Sequence, residues 1–124
     1  MVERINKISE SPVIYLIDYS NLNEDNMIGL ALKLSEEVKK ANQVAQFISI
    51  YNDKSYATPR FMRSVEAATS EVQNLIQDQA MVGLNPTKKI ILKGYNLMFQ
   101  RNFRSFETVP EAIEYLKINS SKKL

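Results

Sequence analysis

Four times along this 124-residue chain an apolar, β-prone run gives way to a helical stripe. Val13-Ile14-Tyr15-Leu16-Ile17 is nearly continuous in β-branched, aromatic and aliphatic residues, the pattern of a strand buried on both faces. It stops at Asp18-Tyr19-Ser20-Asn21, short polar side chains that bond their own backbone in turns. Asn23 then offers an N-cap, with Glu24 and Asp25 facing the positive end of the helix dipole. Met27, Leu30, Ala31, Leu34, Val38 and Ala41 follow at helical spacing as far as Asn42. A second strand reads over Ala45–Tyr51 and ends at Asn52-Asp53-Lys54-Ser55. Thr58-Pro59 caps and opens a second helix, whose stripe is Phe61, Val65, Ala68, Val72 and Leu75. A short third strand spans about 79–82, Asn85-Pro86 starts a helix to about 99, and a fourth strand covers about 103–106. Thr108 and Glu111 have capping-box spacing for a last helix carrying Ala112, Ile113 and Leu116.

Alternation of this kind implies parallel pairing through right-handed crossovers. The predicted fold class is therefore α/β: a single domain over 1–124 with a four- to five-stranded, mainly parallel sheet and four helices. Its core lies at about 13–117, residues 2–9 supply an edge strand, and 119–124 form a polar, flexible tail. Composition matters chiefly through what is missing. With no histidine, no side chain has an unperturbed pKa near neutrality. With no cysteine, there is no thiolate nucleophile, soft metal ligand or disulfide. Ser20, Ser55 and Thr58 lack a histidine base, and none of them begins a Ser-x-x-Lys pattern. Three glycines leave no phosphate-cradling glycine-rich loop. An enzyme is not expected, nor a cofactor or a resident metal. A net charge of +2 and the lack of a binding motif argue against nucleic acid. No apolar run approaches the roughly 20 residues of a membrane span, and the N-terminus lacks a leader pattern, so a cytoplasmic rather than integral membrane protein is expected.

The stretch Ala80-Met81-Val82-Gly83-Leu84, the helix after it, Phe103–Phe106 and Val109-Pro110-Glu111-Ala112-Ile113-Glu114-Tyr115-Leu116 resemble the C-terminal half of the STAS-like superfamily. These are small domains similar to the bacterial anti-sigma-factor antagonists, and the resemblance extends over roughly 13–117. It implies a non-catalytic, STAS-like fold that binds proteins or small ligands. In the regulatory antagonists a strand runs into Asp-Ser-Ser-Gly-Leu-Gly before the second helix, and the second serine is phosphorylated. The matching segment here is Asp53-Lys54-Ser55-Tyr56-Ala57, in which Asp53 and Ser55 coincide with the pattern. Lys54 replaces the first serine and Tyr56 the first glycine.

Three groups of residues are candidates for function. Asp18, Ser20, Asn21, Asn52, Asp53, Ser55 and Thr58 should gather at the C-terminal ends of parallel strands, where open α/β sheets bind ligands. They are the predicted partner or ligand surface, with free helix N–H groups favouring an anion. Ser55→Asp is predicted to alter that surface without loss of fold. Their carboxylates could instead hold Mg²⁺ in a receiver-like arrangement of Asp18 and Asp53, or simply stop strands. Lys88, Lys89, Lys93, Arg101 and Arg104 occur with no acid between Asp78 and Glu107, giving either an anion-binding face or a solvated one. Lys88 and Lys89 oppose the dipole of the helix they begin, which a bound anion would relieve. Tyr19, Tyr51 and Tyr56 either line an apolar pocket or pack in the core. Two functions follow from these features: a regulatory protein-interaction module, with a protein partner and compatible with a homodimer, or a carrier of a small apolar or amphipathic ligand held between helices and sheet.

Overall fold

The computed structural model describes residues 4–55 and 58–122, with side chains as far as Asn119. Tyr56, which breaks the phospho-switch pattern, lies outside the described residues, as do positions 2–3 and 123–124. Five strands, β1 (Ile5–Glu10), β2 (Val13–Asp18), β3 (Ala45–Ile50), β4 (Ile76–Val82) and β5 (Arg104–Phe106), form one sheet in chain order. Four α-helices follow the last four strands: α1 (Glu24–Ala41), α2 (Pro59–Thr69), α3 (Pro86–Phe99) and α4 (Val109–Lys122). The predicted edge strand exists, but β1 is antiparallel to β2, so the sheet is mixed rather than mainly parallel. A turn of only two residues, Ser11-Pro12, joins β1 to β2, and a connection that short reverses the chain.

Strand order equal to chain order puts successive crossovers on one side of the sheet. Alternating strand residues show the result. Val13, Tyr15, Ile17, Phe47, Tyr51 and Met81 face Met27, Ala31 and Val38 of α1, Phe61 of α2 and Leu92 of α3. Ile14, Ile48, Ala80 and Val82 face Ala112 and Leu116 of α4 on the opposite side. The near-continuous apolar runs of β2 and β3 are thus explained, because both faces of these adjacent parallel strands are covered. Gln46 shares the α4 side with Ile48, is fully buried, and has no hydrogen-bond partner for its amide among the described residues.

Two boundaries differ from the pattern in the sequence. The stripe from Phe61 to Leu75 reads as one helix, but α2 stops at Thr69 and a 3-10 segment, Ser70–Leu75, continues it. Thr69 Oγ1 bonds the Val65 carbonyl at 2.8 Å and Ser70 Oγ the Ala67 carbonyl at 2.9 Å, contacts that bend helices. At the C-terminus, α4 runs through positions 119–122, where composition suggests a tail. Asn119 is held there by donating to Asp78 Oδ2 of β4 at 3.1 Å.

Candidate functional site

The C-terminal ends of β2, β3 and β4 lead into the N-termini of α1, α2 and α3 along one sheet edge. Each helix is capped by a side chain that accepts from the third residue on: Asn23 from Asn26 N–H, Thr58 from Phe61 N–H and Asn85 from Lys88 N–H. The predicted loop residues do converge here, but chiefly on one another. Asp18 Oδ1 accepts from Ser20 N–H at 2.9 Å and from the Ser20 hydroxyl, and Arg4 lies 3.9 Å away. Asn21 and Asn52 form a reciprocal pair, with Asn21 N–H donating to Asn52 Oδ1 at 3.0 Å and Asn52 Nδ2 to Asn21 Oδ1 at 2.9 Å. Asp53 Oδ1 accepts from Asn85 Nδ2 at 3.1 Å. The Thr58 hydroxyl also donates to Glu24, and Arg60 bridges Glu24 to Asp25. Bonds from Thr58 and then Arg60 hold the Glu24 carboxyl below its ordinary value. Among the described residues no group of three or more acidic side chains is placed to hold a metal ion.

Ser55 is not placed as a phosphoacceptor would be. It is buried at 5% exposure, and its hydroxyl donates to the Tyr19 carbonyl at 2.9 Å while accepting from Asn52 N–H at 3.2 Å. It is a brace between the β2 and β3 loops. Ser55→Asp is therefore expected to destabilise the fold, not to leave it intact. The new carboxylate would lose its water and face the carbonyl oxygen of Tyr19, at a cost of about 2–4 kcal/mol. A urea melt superimposable on that of the parent would show that the loop opens without penalty.

The five basic residues do not form one face. Lys89 pairs with Glu107 at 3.2 Å, and Arg104 lies over the Tyr115 ring at 5.8 Å. Arg101 binds Glu66 of α2 through two nitrogens, at 3.2 and 2.9 Å, and the Tyr95 hydroxyl donates to the same carboxylate. Burial alone would raise the Glu66 pKa, but the bonds from Arg101 and Tyr95 outweigh it and leave the carboxyl lowered. Lys93 is exposed on α3. Lys88 points the other way. It is 8% exposed and turned toward the sheet. The absence of acids from 79 to 106 suggests a single charged surface, but the fold brings partners from distant segments, which local charge counting does not register.

Toward that interior lies the feature least visible in the sequence. α1, α2, α3 and the sheet enclose a half-open cavity of about 80 Å³. Its walls are mainly aliphatic and aromatic, including Leu34, Val65, Leu92 and Tyr95 from the three helices and Phe47 and Met81 from the sheet. Tyr19 and Tyr51 also reach it, stacked on each other with ring centroids 5.4 Å apart. Burial raises the pKa of both hydroxyls, so they stay neutral. Tyr19 and Tyr51 belong to the buried core as well as to the cavity wall, so the two alternatives the sequence offers for them are not exclusive. The remaining lining is drawn from positions scattered between Ala31 and Phe103 and carries no local signature.

α3 closes this space only loosely. Of its residues only Lys88 and Tyr95 are buried, whereas Ile90, Leu97 and Met98 are 70%, 84% and 66% exposed. A helix apolar on both sides is normally covered on both.

No family model, curated protein or solved structure matches the chain. No helix among the described residues is long and apolar enough to cross a membrane.

Proposed function

We propose that this is a non-catalytic, cytoplasmic binding domain of STAS-like architecture that carries a small apolar or amphipathic ligand between α1, α2, α3 and the sheet. One observation carries the reading: a cavity of about 80 Å³ with mainly apolar walls remains open between the three helices and the sheet. At about 10–15 Å³ per water on this measure, the space corresponds to some five to eight waters, the scale of a short acyl chain. Such walls suit apolar carbon better than water, and the few polar tips would orient the ligand. The loop edge supports this choice indirectly, since its side chains bond mainly to one another. The test is titration of the ¹⁵N-labelled protein with 1-octanol. Amide shifts concentrated at Val65, Leu92 and Tyr95 are expected, and native mass spectrometry of protein purified without detergent should retain a bound small molecule. Absence of both would defeat the carrier reading.

The exposed ridge of Ile90, Leu97 and Met98 favours a second reading, a regulatory module that docks a protein partner on α3. In that case Leu97→Asp should lose the partners captured by the parent while melting at the same urea concentration.

A further inference from the structure

Lys88 is the one charged residue lining the cavity among the described residues. It sits in the first turn of α3, three residues after the Asn85 cap. The residue is 8% exposed, and its ammonium makes no hydrogen bond or ion pair among the described residues. Every other cation in the neighbourhood has an anionic or aromatic partner or faces solvent: Lys89 has Glu107, Arg101 has Glu66, Arg104 has the Tyr115 ring, and Lys93 is exposed.

That placement is unfavourable three times over. A lysine only 8% exposed keeps only part of its hydration. A positive charge in the first turn opposes the dipole of its own helix. Among the described residues no carboxylate lines the cavity, and Glu66 of α2 is already engaged by Arg101 and the Tyr95 hydroxyl. A negative group entering the cavity would relieve all three, taking a charge-assisted hydrogen bond from Lys88 while its chain packs on Leu92, Val65 and Phe47.

We propose that Lys88 is the headgroup anchor of the cavity, and that the ligand is a short-chain amphiphile bearing a carboxylate rather than a neutral one. The inference rests on the carrier reading and adds the charge of its ligand. The experiment compares octanoate with 1-octanol, equal in chain length and different in charge, by calorimetric titration of the parent, Lys88→Met and Lys88→Arg proteins. Circular dichroism and urea melts establish that all three are folded. The parent should bind octanoate at least about tenfold more tightly than 1-octanol, the factor expected for one hydrogen bond to a charged group. Lys88→Met should erase that preference while leaving 1-octanol affinity within about twofold, and Lys88→Arg should keep most of it. Equal affinities in the parent, or a preference that survives Lys88→Met, would overturn the anchor while the carrier stands. If neither probe binds the parent, the carrier and the anchor fall together.

Discussion

Gly83→Ala is expected to lose about 3–5 kcal/mol of stability, enough to leave a domain of ordinary stability marginal. Gly83 directly follows β4 with φ of 84°, a backbone conformation that L side chains rarely adopt. A Cβ built there would lie 2.1 Å from the carbonyl oxygen of Tyr51, where no real contact exists. The obstacle is backbone, so no rotamer change relieves it. β3 and β4 are tied at the same place by the bond from Tyr51 N–H to the Val82 carbonyl at 2.9 Å. Separating them would pull Tyr51 from its stack with Tyr19 and spread the loops that Ser55 braces. Gly94 supplies the control. It is exposed inside α3 with nothing within 4 Å of an added Cβ, so Gly94→Ala should stabilise by about 0.5–1 kcal/mol. Urea melts of the two variants beside the parent read both effects. A Gly83→Ala protein within about 1 kcal/mol of the parent would mean that the β3–β4 edge yields far more easily than its geometry implies.

The same glycine shows where sequence reading stops. As a residue it marks a turn, and the turn is there. That its missing Cβ is needed by the Tyr51 carbonyl depends on two strands meeting, which no local pattern encodes. The elements themselves were legible, because caps and periodicity are local. Asn23, Thr58 and Asn85-Pro86 each start a helix where the sequence places one, and α3 has the predicted limits. The start of β4 was hidden by Gln77-Asp78, polar residues that interrupt the apolar run although both lie in the strand, which begins at Ile76 rather than at about 79. The loop residues were found from a topological rule about strand ends, but burial of Ser55 was not, since a serine between Lys54 and Tyr56 looks like any surface turn. Lys88 and Lys89 are neighbours of the same chemistry. Only the rotation of α3 sends one to the cavity and the other to Glu107.

Leu116→Ala should cost a further large increment, about 3–5 kcal/mol, on the opposite side of the sheet. The first side is covered by three helices, the second by α4 alone. Leu116 is wholly buried among Ile14, Ile48, Ala80 and Val82, with Ala112 one turn earlier on the same helix. Ala112 is already small and cannot fill the space that truncation would leave. The buried amide of Gln46 lies on this side too, and a poorly seated α4 would let water reach it, which limits the penalty to the loss of packing rather than of the whole fold. Leu97→Ala removes the same side chain from the exposed ridge of α3, where it is 84% exposed, and should change stability by less than about 0.5 kcal/mol. The contrast separates burial from residue type, and denaturant melts of the two variants measure it directly. Equal stabilities would mean that α4 does not dock. The cavity beneath α1, α2 and α3 should survive either change, because neither residue lines it. Ligand affinity measured on Leu116→Ala under conditions where it is folded should therefore match the parent, and a loss there would tie the two sides of the sheet together.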